Sequence, residues 1–293
     1  MLAAITFPDI SPEIFSVTLF GATFALRWYA LSYIVGIAIG YRMIAGALRR
    51  PTLWRGDVAP LAPARLEDYL TYIVIGVIVG GRLGYCLFYQ PAYYIANPLE
   101  IPAIWTGGMS FHGGFIGVVL AVYLFARRNA VPLGSLADVT ALAATPAILL
   151  VRIANFVNGE LWGRPTDLPW GVVFPGEAAQ DCINVVGLCA RHPSQLYEAL
   201  LEGLVLGAVL LWLAYRRGAL KSPWLLTGVF CAGYAMARFM VEFVRQPDAQ
   251  FQNKDNPLGW ALDFDTWGLT MGQCLSLPMA LVGVGLVVWS RRR

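Results

Sequence analysis

The chain has 293 residues, of which 58% are hydrophobic and only 13% charged, and its mean hydropathy is +0.60. An ordinary soluble domain carries roughly 25% charged residues, so this composition excludes that class and predicts an all-α polytopic membrane protein. The formal net charge of +3 gives no hint of a nucleic-acid partner; the placement of the basic residues carries the information instead.

At the start of the chain, MLAAITFPDISPEIF has no basic region ahead of a short apolar core, unlike a cleaved secretory signal. The first span is therefore expected to stay as an anchor. Stretches apolar for long enough to cross roughly 30 Å of hydrocarbon fall at 18–40, 69–89, 109–126, 136–156, 196–214, 223–243 and 267–289. Seven transmembrane helices put the two termini on opposite sides, and Lys/Arg placement decides which side is which. Arg42, Arg49, Arg50, Arg55, Arg65, Arg127, Arg128, Arg216, Arg217, Lys221, Arg291, Arg292 and Arg293 fall on one side, thirteen against the four of Arg164, Arg191, Arg245 and Lys254. The N-terminus is expected outside and the C-terminus in the cytoplasm. Arg27, Arg82, Arg152 and Arg238 fall inside expected spans, where a cation is expensive and marks a function or an ion pair.

The chain reads as a single transmembrane domain over 1–293, with substantial outward linkers at 90–108, 157–195 and 244–266. The linker 157–195, between spans four and five, is long for a structureless connection and is expected to fold as a small periplasmic cap. The sequence has neither an internal repeat nor a pair of inverted halves, which weakens a transporter reading. Cys86, Cys231 and Cys274 lie in spans and suit packing. Cys182 and Cys189 share the outer linker, which a bacterial periplasm would oxidise; a disulfide across the six intervening residues and a pair of free thiols are both open.

Polar residues interrupt the spans at recurring places. Tyr29, in RWYALSY, is either an aromatic-belt residue or inward-pointing. Arg82, in GGRLGYCLFY, lies among glycines that allow a helix or a lipid headgroup to approach closely, or else packs structurally. His112, in GGMSFHGGFIG, is flanked by glycines that leave its ring accessible, and imidazole is the natural base near neutral pH. The alternative for it is a hydrogen-bonded structural role. VRIANFVNGELWGR sets Arg152 and Asn155 on one helix face, after which NGE and WGRP break the helix and turn Asn158 and Glu160 back toward them. A guanidinium beside amide donors suits a phosphate; the competing reading is an arginine snorkelling to water. His192, before Pro193 with Ser194 at an N-cap position, reads as structural. In ARFMVEFVR, Arg238 and Glu242 stand four apart, as ligands or as a structural ion pair.

By the expected topology Arg82, His112, Arg152 with Asn155, and Arg238 with Glu242 all fall in the outer half of the membrane, so one outward site for an amphiphilic anion accounts for them together. Two histidines and no acidic-His helix pair argue against a metal, and neither a phosphate loop nor a G-x-S-x-G turn occurs. No covalent nucleophile stands out, so the nucleophile is expected from a second substrate.

Taken together, RIANFVNGELWGR, GGRLGYCLFY, MSFHGG, RHPSQLYEALLEG and ARFMVEFVRQPD resemble, in order and over nearly the whole chain, the blocks of the bacterial prolipoprotein diacylglyceryl transferases. Val151 stands where that family usually has glycine. The resemblance implies an inner-membrane enzyme, with its active site toward the periplasmic leaflet and no cofactor. It would move the diacylglyceryl group of phosphatidylglycerol onto the lipobox cysteine thiol of a preprolipoprotein, giving a thioether and glycerol phosphate. It also implies Tyr29, His112, Arg152, Asn155, Glu160, Gly163, Arg238 and Glu242 as functional positions. Arg152, with Arg238 or Arg82, would stabilise charge on the leaving phosphate. Of the rival classes, a flippase should line both leaflets with charge, a scaffold would not need His112, and a CDP-alcohol synthase would need clustered aspartates.

Overall fold

The computed structural model describes residues 4–19, 22–182, 185, 187–247, 251–252, 256–264 and 266–292. It is mostly helical and falls into two compact units, one of residues 1–42 with 141–293 and one of residues 43–140. Among the described residues six helices are long and apolar enough to cross a membrane, and Leu225–Val241 is a shorter apolar helix. This is a polytopic membrane protein. Two of the residues counted for topology, Lys254 and Arg293, lie outside the described residues.

The first expected span is displaced. Before the helix, β1 (Ile5–Thr6) is followed by an antiparallel hairpin of β2 (Glu13–Leu19) and β3 (Ala22–Arg27), and α1 runs from Trp28 to Leu48. The segments EIFSVTL and ATFALR are rich in β-branched and aromatic residues, which favour extended backbone, and their apolar character mimics the start of a span. Arg27 is thus an exposed strand end, 3.2 Å from Glu13, rather than an intramembrane cation.

In the larger unit, α5 (Leu133–Val157) contributes its residues from Ala141 onward. A Cβ on Gly36 of α1 would stand 2.7 Å from Ala147 Cα, and one on Gly203 would stand 2.6 Å from Leu149 Cα. Small residues let these backbones approach, which sets the helices around α5 close enough for side chains from each to meet. The chain after α5 forms β4 (Val172–Val173), which pairs in parallel with β1, then α6 (Glu177–Gln180). Val172, Phe174 and Ala179 make a small core with Phe7, Phe156 and Trp162. Cys182 and Cys189 are joined in a disulfide. Buried Arg191 ties the segment together: it donates to the carbonyls of Ala179, Asp181 and Gly163 and to Gln246 Oε1, and lies 3.9 Å over the Trp162 ring.

The expected fifth span begins with α7 (Ser194–Glu198), continues as a π-helix over Ala199–Val205 and returns to α-helix in α8 (Leu206–Arg216). Ser194 does not cap it; its hydroxyl donates to the Leu161 carbonyl, and Pro193 holds the N-cap position. Then come α9 (Leu225–Val241), the β5–β6 pair (Leu262–Asp263 with Gly268–Leu269) and α10 (Met271–Arg291), which opens on a capping box of Thr270 and Gln273.

The smaller unit is organised by α2 (Leu66–Phe88) against α4 (Phe111–Arg128), with short α3 (Pro91–Ala96) between them in sequence, and α1 and α5 contribute their remaining residues. A Cβ on Gly76 would stand 2.6 Å from Gly117 O, and one on Gly84 would stand 2.6 Å from Gly113 Cα. Arg82, expected as a lipid ligand, is only 3% exposed and turns onto its own chain. Nε donates to Ile101 O at 2.8 Å, Nη2 to Glu100 O at 2.8 Å, and Nη1 to Gly107 O at 2.5 Å and Gly108 O at 3.4 Å. These contacts to the 100–108 linker favour the packing reading of Arg82 over the lipid-binding one. Arg82→Gln is expected to weaken that linker by roughly 1.5–3 kcal/mol for a lost charged hydrogen bond and to open it to limited proteolysis. Native resistance at 98–108 would return Arg82 to the lipid-binding set.

Candidate active site

Two clusters in the larger unit gather most of the residues singled out by sequence. The first follows from the end of α5. Gly159, with φ of 65°, and Leu161, with φ of 58°, reverse the chain after Val157. The turn brings the Glu160 carboxylate to Asn155 Nδ2 at 2.8 Å and Asn158 Nδ2 at 3.2 Å. Gln195 Nε2 donates to the Glu160 carbonyl at 2.5 Å and fixes the turn from the start of α7. Tyr29 lies within electrostatic reach of Glu160 and Arg152, and its hydroxyl is 3.3 Å from that of Tyr33. It is therefore inward-related as well as 36% exposed.

The second cluster is a buried ion network. Arg152 Nη1 lies 3.1 Å from Glu198 Oε2, and its Nη2 lies 3.4 Å from Glu202 Oε2. Arg238 reaches Glu198 Oε1 at 2.7 Å and Glu242 Oε2 at 2.8 Å. Arg245 Nε stands 3.8 Å from Glu198 Oε1. Glu198 and Glu202 are fully buried, while the Arg152 and Arg238 side chains keep 18% and 16% of their surface exposed. A guanidinium held on one side by carboxylates and open on another can still donate to a phosphate. Tyr234 stands within electrostatic reach of Arg152, Glu202, Arg238 and Glu198.

Sequence reading did not assign Glu198, Glu202, Tyr234 or Arg245 to the site. The signal was present in QLYEALLEG and GYAMARFMVEFVR, where Glu198 and Glu202 stand four apart, as do Tyr234 and Arg238. Four-residue spacing places each pair on one helix face, and an intramembrane carboxylate calls for a cation partner.

Glu242 has further support. A Cβ on Gly272 would meet its Oε2 at 2.5 Å, so the carboxylate lies against the first turn of α10. That end of a helix carries positive dipole charge. Gly163 owes its place to backbone contact: its N–H donates to His192 O at 2.8 Å, and a Cβ there would stand 2.7 Å from His192 Cβ and overlap the Val244 carbonyl. It seats the turn against 191–192 and 244–245 and offers no side chain to a lipid.

His192 is structural, as expected: its Nδ1 lies 3.3 Å from the Tyr197 hydroxyl, which accepts from Trp170 Nε1 at 2.8 Å. Burial pushes its imidazole below the usual value, so it is neutral at neutral pH. His112 belongs to the smaller unit, at the second position of α4, exposed and behind a Ser110 cap that accepts from Gly113 N at 3.2 Å.

The sequence model of the prolipoprotein diacylglyceryl transferase family matches residues 16–289. The chain belongs to that family. It is similar to proteins named phosphatidylglycerol–prolipoprotein diacylglyceryl transferase from several bacteria. That of Ruegeria pomeroyi is 62% identical over 291 residues, covering 99% of each chain. That of Roseobacter denitrificans is 59% identical with the same coverage. That of Rhizobium meliloti is 48% identical over 290 residues, covering 99% of this chain and 95% of the relative. Among the described residues no group of three or more His, Cys, Asp or Glu could hold a metal ion.

Proposed function

We propose that the chain transfers the sn-1,2-diacylglyceryl group of phosphatidylglycerol to the thiol of a preprolipoprotein's lipobox cysteine, in a bacterial inner membrane with the site toward the periplasm. Family membership over nearly the whole chain supports the reaction class. The observation that carries the residue assignment is the Arg152 and Arg238 pair, each held by buried carboxylates and keeping a small part of its surface exposed.

In this reading the sulfur attacks the terminal glycerol carbon, a C–S bond forms, the C–O bond to phosphate breaks, and glycerol phosphate leaves. Negative charge grows on the leaving phosphate, where guanidiniums preorganised in a low-dielectric site are most effective. Arg152 and Arg238 receive that charge. Asn155 and Asn158 orient Glu160, whose carboxylate and the Tyr29 hydroxyl are positioned to bind the headgroup glycerol hydroxyls. His112 takes the thiol proton, a role assigned from its chemistry and from the motif MSFHGG. Seven spans, with N-terminus outside, complete the reading.

The test is purified protein in detergent with labelled phosphatidylglycerol and a lipobox peptide. Thioether is expected from the native chain and, corrected for folded protein, at least about 100-fold less from Arg152→Gln, the loss typical of one removed donor to developing charge. Native-level turnover in folded Arg152→Gln would remove Arg152 from the phosphate site.

A further inference from the structure

In the ion network the guanidiniums of Arg152, Arg238 and Arg245 face the carboxylates of Glu198, Glu202 and Glu242. An entering phosphodiester adds one negative charge. That charge, beside buried carboxylates, favours the protonated form of whichever of them is least firmly paired. The three carboxylates differ in how closely they are paired. Glu198 faces all three guanidiniums, at 2.7, 3.1 and 3.8 Å. Glu242 lies 2.8 Å from Arg238 and against the first turn of α10.

Glu202 has the weakest support. Its one ion pair among the described residues is to Arg152, at 3.4 Å through Oε2, while Oε1 is buried without a hydrogen-bond partner. It stands on the π-helical turn, a rare geometry that is frequent at functional sites. The charged and titratable groups facing it are Arg152 from α5, Glu198 from α7, and Tyr234 and Arg238 from α9.

We propose that Glu202 takes up one proton when the anionic lipid headgroup binds, standing as carboxylate in the free enzyme and as carboxylic acid in the lipid complex. The proton comes from bulk water and adds to a carboxylate oxygen; no other bond changes. A neutral Glu202 loosens its hold on Arg152 Nη2, which turns to the phosphate instead. Glu202 is thus a positioning residue acting through Arg152, and the proposal rests on the reading that Arg152 meets the phosphate.

The experiment titrates phosphatidylglycerol in mixed micelles into purified full-length protein. Calorimetry at mildly alkaline pH, in two buffers of different ionisation enthalpy, counts the protons. The native enzyme is expected to take up close to one proton per lipid, with affinity falling toward about ten-fold per pH unit as pH rises. Glu202→Gln is expected to bind without uptake and with pH-independent affinity. Infrared difference spectra on lipid addition should show a new carboxylic acid C=O band in the native enzyme, which is absent from Glu202→Gln. No uptake and no new band in the native enzyme, or uptake unchanged in Glu202→Gln, would overturn the proposal. Undiminished lipid binding by folded Arg152→Gln would instead overturn the phosphate-site reading beneath it.

Discussion

Glu198→Gln is expected to lower the detergent melting temperature more than neutralising any other carboxylate of the network. Its two oxygens are shared among Arg152, Arg238 and Arg245, and the side chain is fully buried. Removing that charge leaves guanidiniums facing one another with Glu202 and Glu242 as the remaining counterions. Breaking a buried pair by deleting one partner costs roughly 3–5 kcal/mol, and here one deletion affects three pairs. Glu202→Gln breaks a single 3.4 Å contact and should destabilise less. The measurement is the melting temperature of both variants beside thioether formation. A Glu198→Gln protein that melts with the native one would show that the arginines hold their places without it.

The reason this centre was only half legible in the sequence is physical. Arg152 looked like a lone cation awaiting a ligand because its partners lie 46 and 50 residues away in the chain, and only the close approach of Gly203 to Leu149 brings them in. Arg238 with Glu242 was readable because helical spacing alone joins them. The contacts of Arg82 were hidden for the opposite reason: carbonyl oxygens of 100–108 are acceptors that no sequence pattern displays. Arg191 entered only as a topology charge, although its carbonyl contacts organise the segment 157–195. Hydropathy located the apolar helices well after residue 60, since burial in lipid needs only composition and length. It failed before residue 28, where an apolar β-hairpin has the composition of a span. The Cys182–Cys189 pairing was left open by spacing, and the fold of 157–195 decides it.

His112→Gln is expected to bind phosphatidylglycerol at near-native affinity while turnover at neutral pH falls by roughly 10²–10⁴-fold, the range for a lost general base. A free thiol titrates near about 8.5, so only a few per cent of the acceptor is thiolate at neutral pH without help. Turnover by the variant should therefore rise with pH more steeply than that of the native enzyme and recover in part as the thiolate forms unaided. The substitution leaves the surroundings in place, because the N-terminus of α4 is fixed by the Ser110 cap and by Gly113, whose Cβ would overlap the Gly80 carbonyl. His192→Gln is the matched control. That ring is held neutral by burial and bonded to Tyr197, so its loss should alter stability without steepening the pH profile. If His112→Gln turns over normally at neutral pH, the base lies elsewhere and His112 is a structural residue of α4. If it loses turnover but gains nothing at raised pH, His112 orients a substrate and does not take the proton.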